Sequence, residues 1–132
     1  MRKPLVNNRV RKINGSFAFI EHRFLRHGFW ASLGHHELLL YFFLIMVADR
    51  QGLSFYSYDK ICSLLAVTVD EYIMARDSLI NKDLLAFDGT FFQVLSLPGE
   101  PVLFSRLLQD AADMKREDPA TIHQLIQGGL HD

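Results

Sequence analysis

The sequence has too little cysteine for a disulfide framework: Cys62 stands alone, no internal bridge can form, and a reducing cytoplasm is the expected setting. It also lacks a hydrophobic run long enough for a membrane. The longest, Leu38 to Ala48, has eleven residues, where a span needs about 18 or more. Met-Arg-Lys at the start is followed by no apolar stretch, which argues against a secretory signal. There is no Gly-rich phosphate loop, no paired catalytic carboxylates and no evident nucleophile with its base, so neither an enzyme nor a bound cofactor is expected. Overall charge of one sign is missing too, the net being -1.

That near-neutral balance conceals a division along the chain. Residues 1–33 carry Arg2, Lys3, Arg9, Arg11, Lys12, Arg23 and Arg26 against Glu21 alone, a net of +6, while the remainder has a net of -7. A basic end on an acidic body suggests an arm for a polyanion, the alternative being a solvated terminus with incidental charge. Apolar residues are 49% of the chain, with eleven Phe among its 132 residues. That suffices for one packed core and leaves apolar surface for self-association, so a homodimer is expected.

Periodicity divides the chain into a basic arm (1–16), a folded domain (17–98) and a C-terminal helical extension (99–132). Phe17 to Ile20 is short and β-prone and predicts a strand. Phe24, Leu25 and Phe29 suggest a helical turn within His22 to Trp30. A helix from Gly34 to Asp49 is apolar almost all round, which predicts burial from more than one direction. Gln51-Gly52 ends it, and a strand of about four residues, Leu53 to Tyr56, follows. Ser57 opens a short helix to Leu65 with Ile61, Leu64 and Leu65 as its stripe. After Ala66-Val67, the run Thr68-Val-Asp-Glu71 reads as a capping box for a helix to about Lys82, with Tyr72, Ala75 and Leu79 inward. Leu84–Phe87 and Phe91–Leu95 read as strands joined at Asp88-Gly89, a type I′ hairpin signal. Pro98 and Pro101 stop the sheet. Phe104, Leu107, Leu108 and Ala111 stripe one further helix, and Asp118-Pro119 begins a last one.

The stretch from Ile61 to Leu85 resembles the winged helix-turn-helix pattern: Leu65, Ala66 and Val67 before the Thr68 cap, Leu79 eleven residues beyond it, then Lys82-Asp-Leu-Leu85. Asp83 stands where glycine is usual, implying a different helix exit. Upstream, Phe19 to Leu25, Leu33 to Tyr41, Asp49 to Gly52 and Tyr56 to Ile61 resemble the N-terminal domain of plasmid and phage replication initiators and primosomal DnaD-type proteins. The resemblance covers about residues 17–97. It implies an α+β winged helix-turn-helix fold, here with an added N-terminal strand and two C-terminal helices, and a role in handling double-stranded DNA during replication or transcription control, often as a dimer.

In such a fold the second helix of the pair enters the major groove. Candidate DNA contacts are therefore Arg2, Lys3, Arg9, Arg11 and Lys12 on the arm and Thr68, Arg76, Ser78, Asn81 and Lys82 on or beside that helix. Its outward positions are expected near Val69, Asp70, Met74, Asp77, Ser78 and Asn81, a set without Arg or Lys and with two carboxylates. Residues 34–97 hold four basic residues against eight acidic ones. Two readings stay open: the arm supplies the phosphate contacts, or the domain is a protein-interaction or dimerisation module. His22, His27, His35 and His36 lack the spacing and cysteine partners of a metal site, and Cys62 beside core positions reads as inert packing.

Overall fold

The computed structural model describes residues 2–102, and the predicted C-terminal helices from Phe104 and Asp118 lie outside them. The described chain is α+β. Its elements are α1 (Arg23–Arg26), α2 (His35–Val47), β1 (Leu53–Ser54), α3 (Tyr58–Leu65), α4 (Val69–Asn81), β2 (Leu85–Phe87) and β3 (Phe92–Val94), with single 3-10 turns at Asn7–Arg9 and Trp30–Ser32. The strands form one antiparallel sheet in the order β1-β3-β2. Ser54 and Phe87 both stand opposite Phe92, and Leu53 and Ala86 opposite Gln93.

α2 is the central element. Leu40, Tyr41, Phe43, Leu44 and Ile45 are buried along it, and it packs against both α4 and β3. The expectation of burial all round is corrected in part, because Leu39 and Met46 are exposed at 46% and 68%. They are seven residues apart, so the two lie one above the other on a single solvent stripe. Near its middle α2 meets a group of aromatic rings, with Phe24 5.2 Å from Tyr41 and 6.1 Å from Phe29 between ring centres.

The link from α2 to β1 follows from local chemistry. Asp49 Oδ1 accepts hydrogen bonds from the Gln51 and Leu53 backbone amides at 2.8 and 2.9 Å. Gly52 then takes a φ of +86°, and a Cβ there would meet the Val94 carbonyl oxygen at 2.5 Å, so glycine is required twice over. Ala66 closes α3 in the left-handed conformation at φ 55°, giving the tight link to α4. The capping box stands as read: the Thr68 hydroxyl accepts from the Glu71 amide at 3.0 Å, and the Glu71 carboxylate accepts from the Thr68 amide at 2.8 Å.

Several local expectations need correction. Phe17 to Ile20 forms no strand: Phe17, Phe19 and Ile20 are exposed, and no ladder partner among the described residues satisfies their backbone. β1 has two residues rather than four. Ser57 occupies the N-cap position of α3 without a side-chain cap hydrogen bond, and Leu64 points to solvent at 58% exposure. The β2–β3 turn is not type I′, since Gly89 alone has positive φ there. Asp88 instead holds the turn by accepting from the Thr90 and Phe91 amides at 2.8 and 2.6 Å. Asp83 does not alter the helix exit. It takes φ 62°, the left-handed region that a glycine would use and that aspartate tolerates better than most residues.

Candidate nucleic-acid interface

The ten candidate contacts separate into two groups. Arg2, Lys3, Arg9, Arg11 and Lys12 are all exposed. Their segment has one regular feature, the turn in which the Arg9 amide donates to Val6 O at 3.1 Å, with Val6 and Val10 extended on either side. No carboxylate occurs before Glu21, so the arm's field is undiluted by its own sequence.

Of the candidates on or beside α4, Arg76 and Lys82 are engaged inside the domain. Arg76 is 1% exposed, so it is not a surface contact, which corrects the expectation. Its Nε and Nη2 donate to Asp77 Oδ1 at 3.1 and 3.0 Å, and its guanidinium lies 5.4 Å from the centres of both the Tyr72 and Phe87 rings. Asp77, expected to face outward, is buried with it at 8%. Burial pushes the Tyr72 phenol up to about 12 against the opposing influence of Arg76. Lys82 is also removed from service: its Nζ donates to Ser32 O at 2.6 Å and to Glu37 Oε2 at 2.8 Å, tying the end of α4 to the start of α2. Thr68 is exposed, yet its hydroxyl is committed to the cap, and Ser78 and Asn81 are half-buried.

What α4 shows to solvent is Met74, 74% exposed, and the acidic first turn. Glu71 there is held below its ordinary value, chiefly by the Thr68 backbone hydrogen bond, and its other oxygen lies 3.2 Å from His36 Nε2. Asp88 at the hairpin is also lowered, by the Phe91 and Thr90 amides. Neither group favours a phosphate nearby. Exposed cations elsewhere in the described residues are Arg26, Arg50 and Lys60, and the last lies 5.9 Å from the Tyr56 ring centre.

Two structural residues escaped the sequence reading. Arg23, counted with the basic end, donates Nη1 to Pro98 O and Nη2 to Leu97 O at 2.8 and 2.7 Å, fastening the segment after β3 to α1. The helical wheel places Asp77 outward, since neighbours at i and i+1 do not normally face each other, yet it pairs with Arg76. The usable signal was Tyr72 four residues before Arg76, a spacing that stacks a cation on a ring. The Cys62 thiol is pushed up, mainly by burial, which suits packing rather than reactivity. Among the described residues no group of His, Cys, Asp and Glu could hold a metal ion, and no helix is long and apolar enough to cross a membrane. No protein-family model, curated protein or solved structure matches this chain.

Proposed function

We propose that this chain is a winged-helix DNA-binding protein of the cytoplasm, serving replication initiation or transcription control of the kind found in plasmid and phage initiators. The fold side of this reading is supported by the order α2, β1, α3, α4, β2, β3, by the tight left-handed link between α3 and α4, and by a sheet in which β3 lies between β1 and β2. The observation that carries the function is the distribution of cations: five lie exposed on the arm, while of the four in residues 34–97 Arg76 and Lys82 are withdrawn and only Arg50 and Lys60 are exposed. Affinity then comes from arm–phosphate contacts, and α4 contributes shape rather than charge. A homodimer through the Leu39–Met46 stripe belongs to the same proposal, two copies doubling the arms on one duplex.

The withdrawn cations also support a second reading, in which the domain binds protein instead of DNA. A gel shift of the full chain on a duplex at about 50 and about 200 mM salt separates the two. Five phosphate contacts give a log–log slope of about -4.5, so affinity should fall about 500-fold over that range. A chain that shifts no duplex at either concentration is an interaction module.

A further inference from the structure

We propose that the arm reads the minor groove of A·T-rich duplex DNA, with Arg9 and Arg11 as the inserted side chains. This inference rests on the DNA-binding reading above and adds the class of site. An α-helix with its side chains is about 10–12 Å across and fits the major groove, about 12 Å wide, whereas the minor groove is only about 6 Å wide. The major-groove route is poorly served here. α4 offers Met74 and an acidic first turn, its Arg76 is buried beside Asp77, and Lys82 is bound to Glu37. The arm has the opposite character. From Val10 to Ser16 it forms neither helix nor strand, and its one turn, Asn7–Arg9, is three residues long. A slender chain of this kind can follow a narrow groove.

The residue types suit the floor of that groove. A·T and T·A pairs present only acceptors there, adenine N3 and thymine O2, while guanine adds an obstructing N2 amino group. Arginine has donors alone and is less strongly hydrated than lysine, and Asn7 and Asn8 beside it carry amide donors. A·T tracts also narrow the groove and deepen its negative potential, which draws arginine in. Arg9 and Arg11 flank the extended Val10, which keeps their Cα atoms within about 7 Å. Two base-pair rises are about 6.8 Å, so one guanidinium can be served by each alternate pair. The arm's apolar residues, Leu5, Val6, Val10 and Ile13, are exposed and uncharged, and they can lie against the sugar walls.

The test uses the full chain and fluorescence anisotropy at about 50 mM salt on three labelled DNAs of equal length: an A·T-tract duplex, a G·C duplex and a single strand. The A·T duplex should bind about tenfold tighter than the G·C duplex, the size of one well-read base pair. Netropsin, which fills the A·T minor groove, should displace the chain from it. The Arg9→Lys, Arg11→Lys double variant keeps the charge and should keep the affinity for G·C while losing the preference. Equal binding to both duplexes with no effect of netropsin overturns the minor-groove inference and leaves DNA binding standing, as does a single strand bound more tightly than either duplex. No binding to any of the three overturns both.

Discussion

Replacing Asp77 by alanine is expected to destabilise the chain by about 3 kcal/mol, although its place on the helical wheel suggests a neutral surface change. The Asp77 Oδ1 atom accepts from Arg76 Nε at 3.1 Å and Nη2 at 3.0 Å, and the guanidinium is 1% exposed between the Tyr72 and Phe87 rings. Removing one partner of a buried ion pair costs about 3–5 kcal/mol, because the remaining charge is left poorly compensated out of water. The Asp77 side chain is 11% exposed, so water reaches the site and the lower end of that range applies. Asp77→Asn keeps the shape and an acceptor. It should lose about 1–2 kcal/mol, the difference between a charge-assisted and a neutral hydrogen bond. Asp77→Lys sets a second cation beside Arg76 and should be worse than alanine, with no gain in DNA binding. Urea denaturation followed by far-UV circular dichroism measures all three against the parent, with a common slope checking that cooperativity is unchanged. If alanine and lysine each cost under about 1 kcal/mol, Asp77 lies at the surface and the argument for a withdrawn α4 fails with it.

The Leu79 side chain is fully buried between α4 and its neighbours, so Leu79→Ala should cost about 2–5 kcal/mol in the same denaturation experiment. Gly52→Ala meets both a positive φ and the Val94 carbonyl, and a loss of about 2 kcal/mol or more is expected from strain and overpacking together. Glu71 is depressed in the folded chain, so its contribution is present above the unfolded value and lost as pH falls through the folded one. Glu71→Gln should therefore flatten the acid side of the stability–pH curve. Burial raises Tyr41 and Tyr72 to about 12, so their contribution is complete below about pH 10 and lost as pH climbs toward 12, visible as late phenolate absorbance. Met46→Glu places a charge on the exposed α2 stripe and should yield a monomer by light scattering, where the parent is expected to be a dimer.

Elements with strong local signals were legible from residues alone. The α3–α4 unit is marked by Ser57, by the Thr68/Glu71 box and by the apolar spacing of Tyr72, Ala75 and Leu79, and its boundaries agree with the structure. Hydrophobic periodicity also found α2, although it could not tell that Leu39 and Met46 would be left uncovered, since that depends on which faces its neighbours take. Phe17 to Ile20 shows the limit of propensity. A β-prone run becomes a strand only where another strand completes its hydrogen bonds, and none lies beside it in the described residues. On the candidate interface, sequence identified the arm's cations by their isolation from acid. It misjudged Arg76, Asp77 and Lys82, whose partners are an adjacent residue out of register and residues 45 and 50 positions away. Long-range pairing of that sort leaves no periodic trace.

The central claim is that the exposed arm, rather than α4, holds DNA. The most direct measurement is the salt dependence of duplex affinity for the parent chain and for a variant carrying Arg9→Gln, Arg11→Gln and Lys12→Gln, both first shown to have the same far-UV spectrum. Each lost phosphate contact lowers the log–log slope by about 0.9, so the variant's slope should be shallower by about 2.7, with a matching loss of affinity at low salt. A variant that binds with the parent's affinity and the parent's slope would contradict the account, because the contacts would then lie elsewhere on the domain.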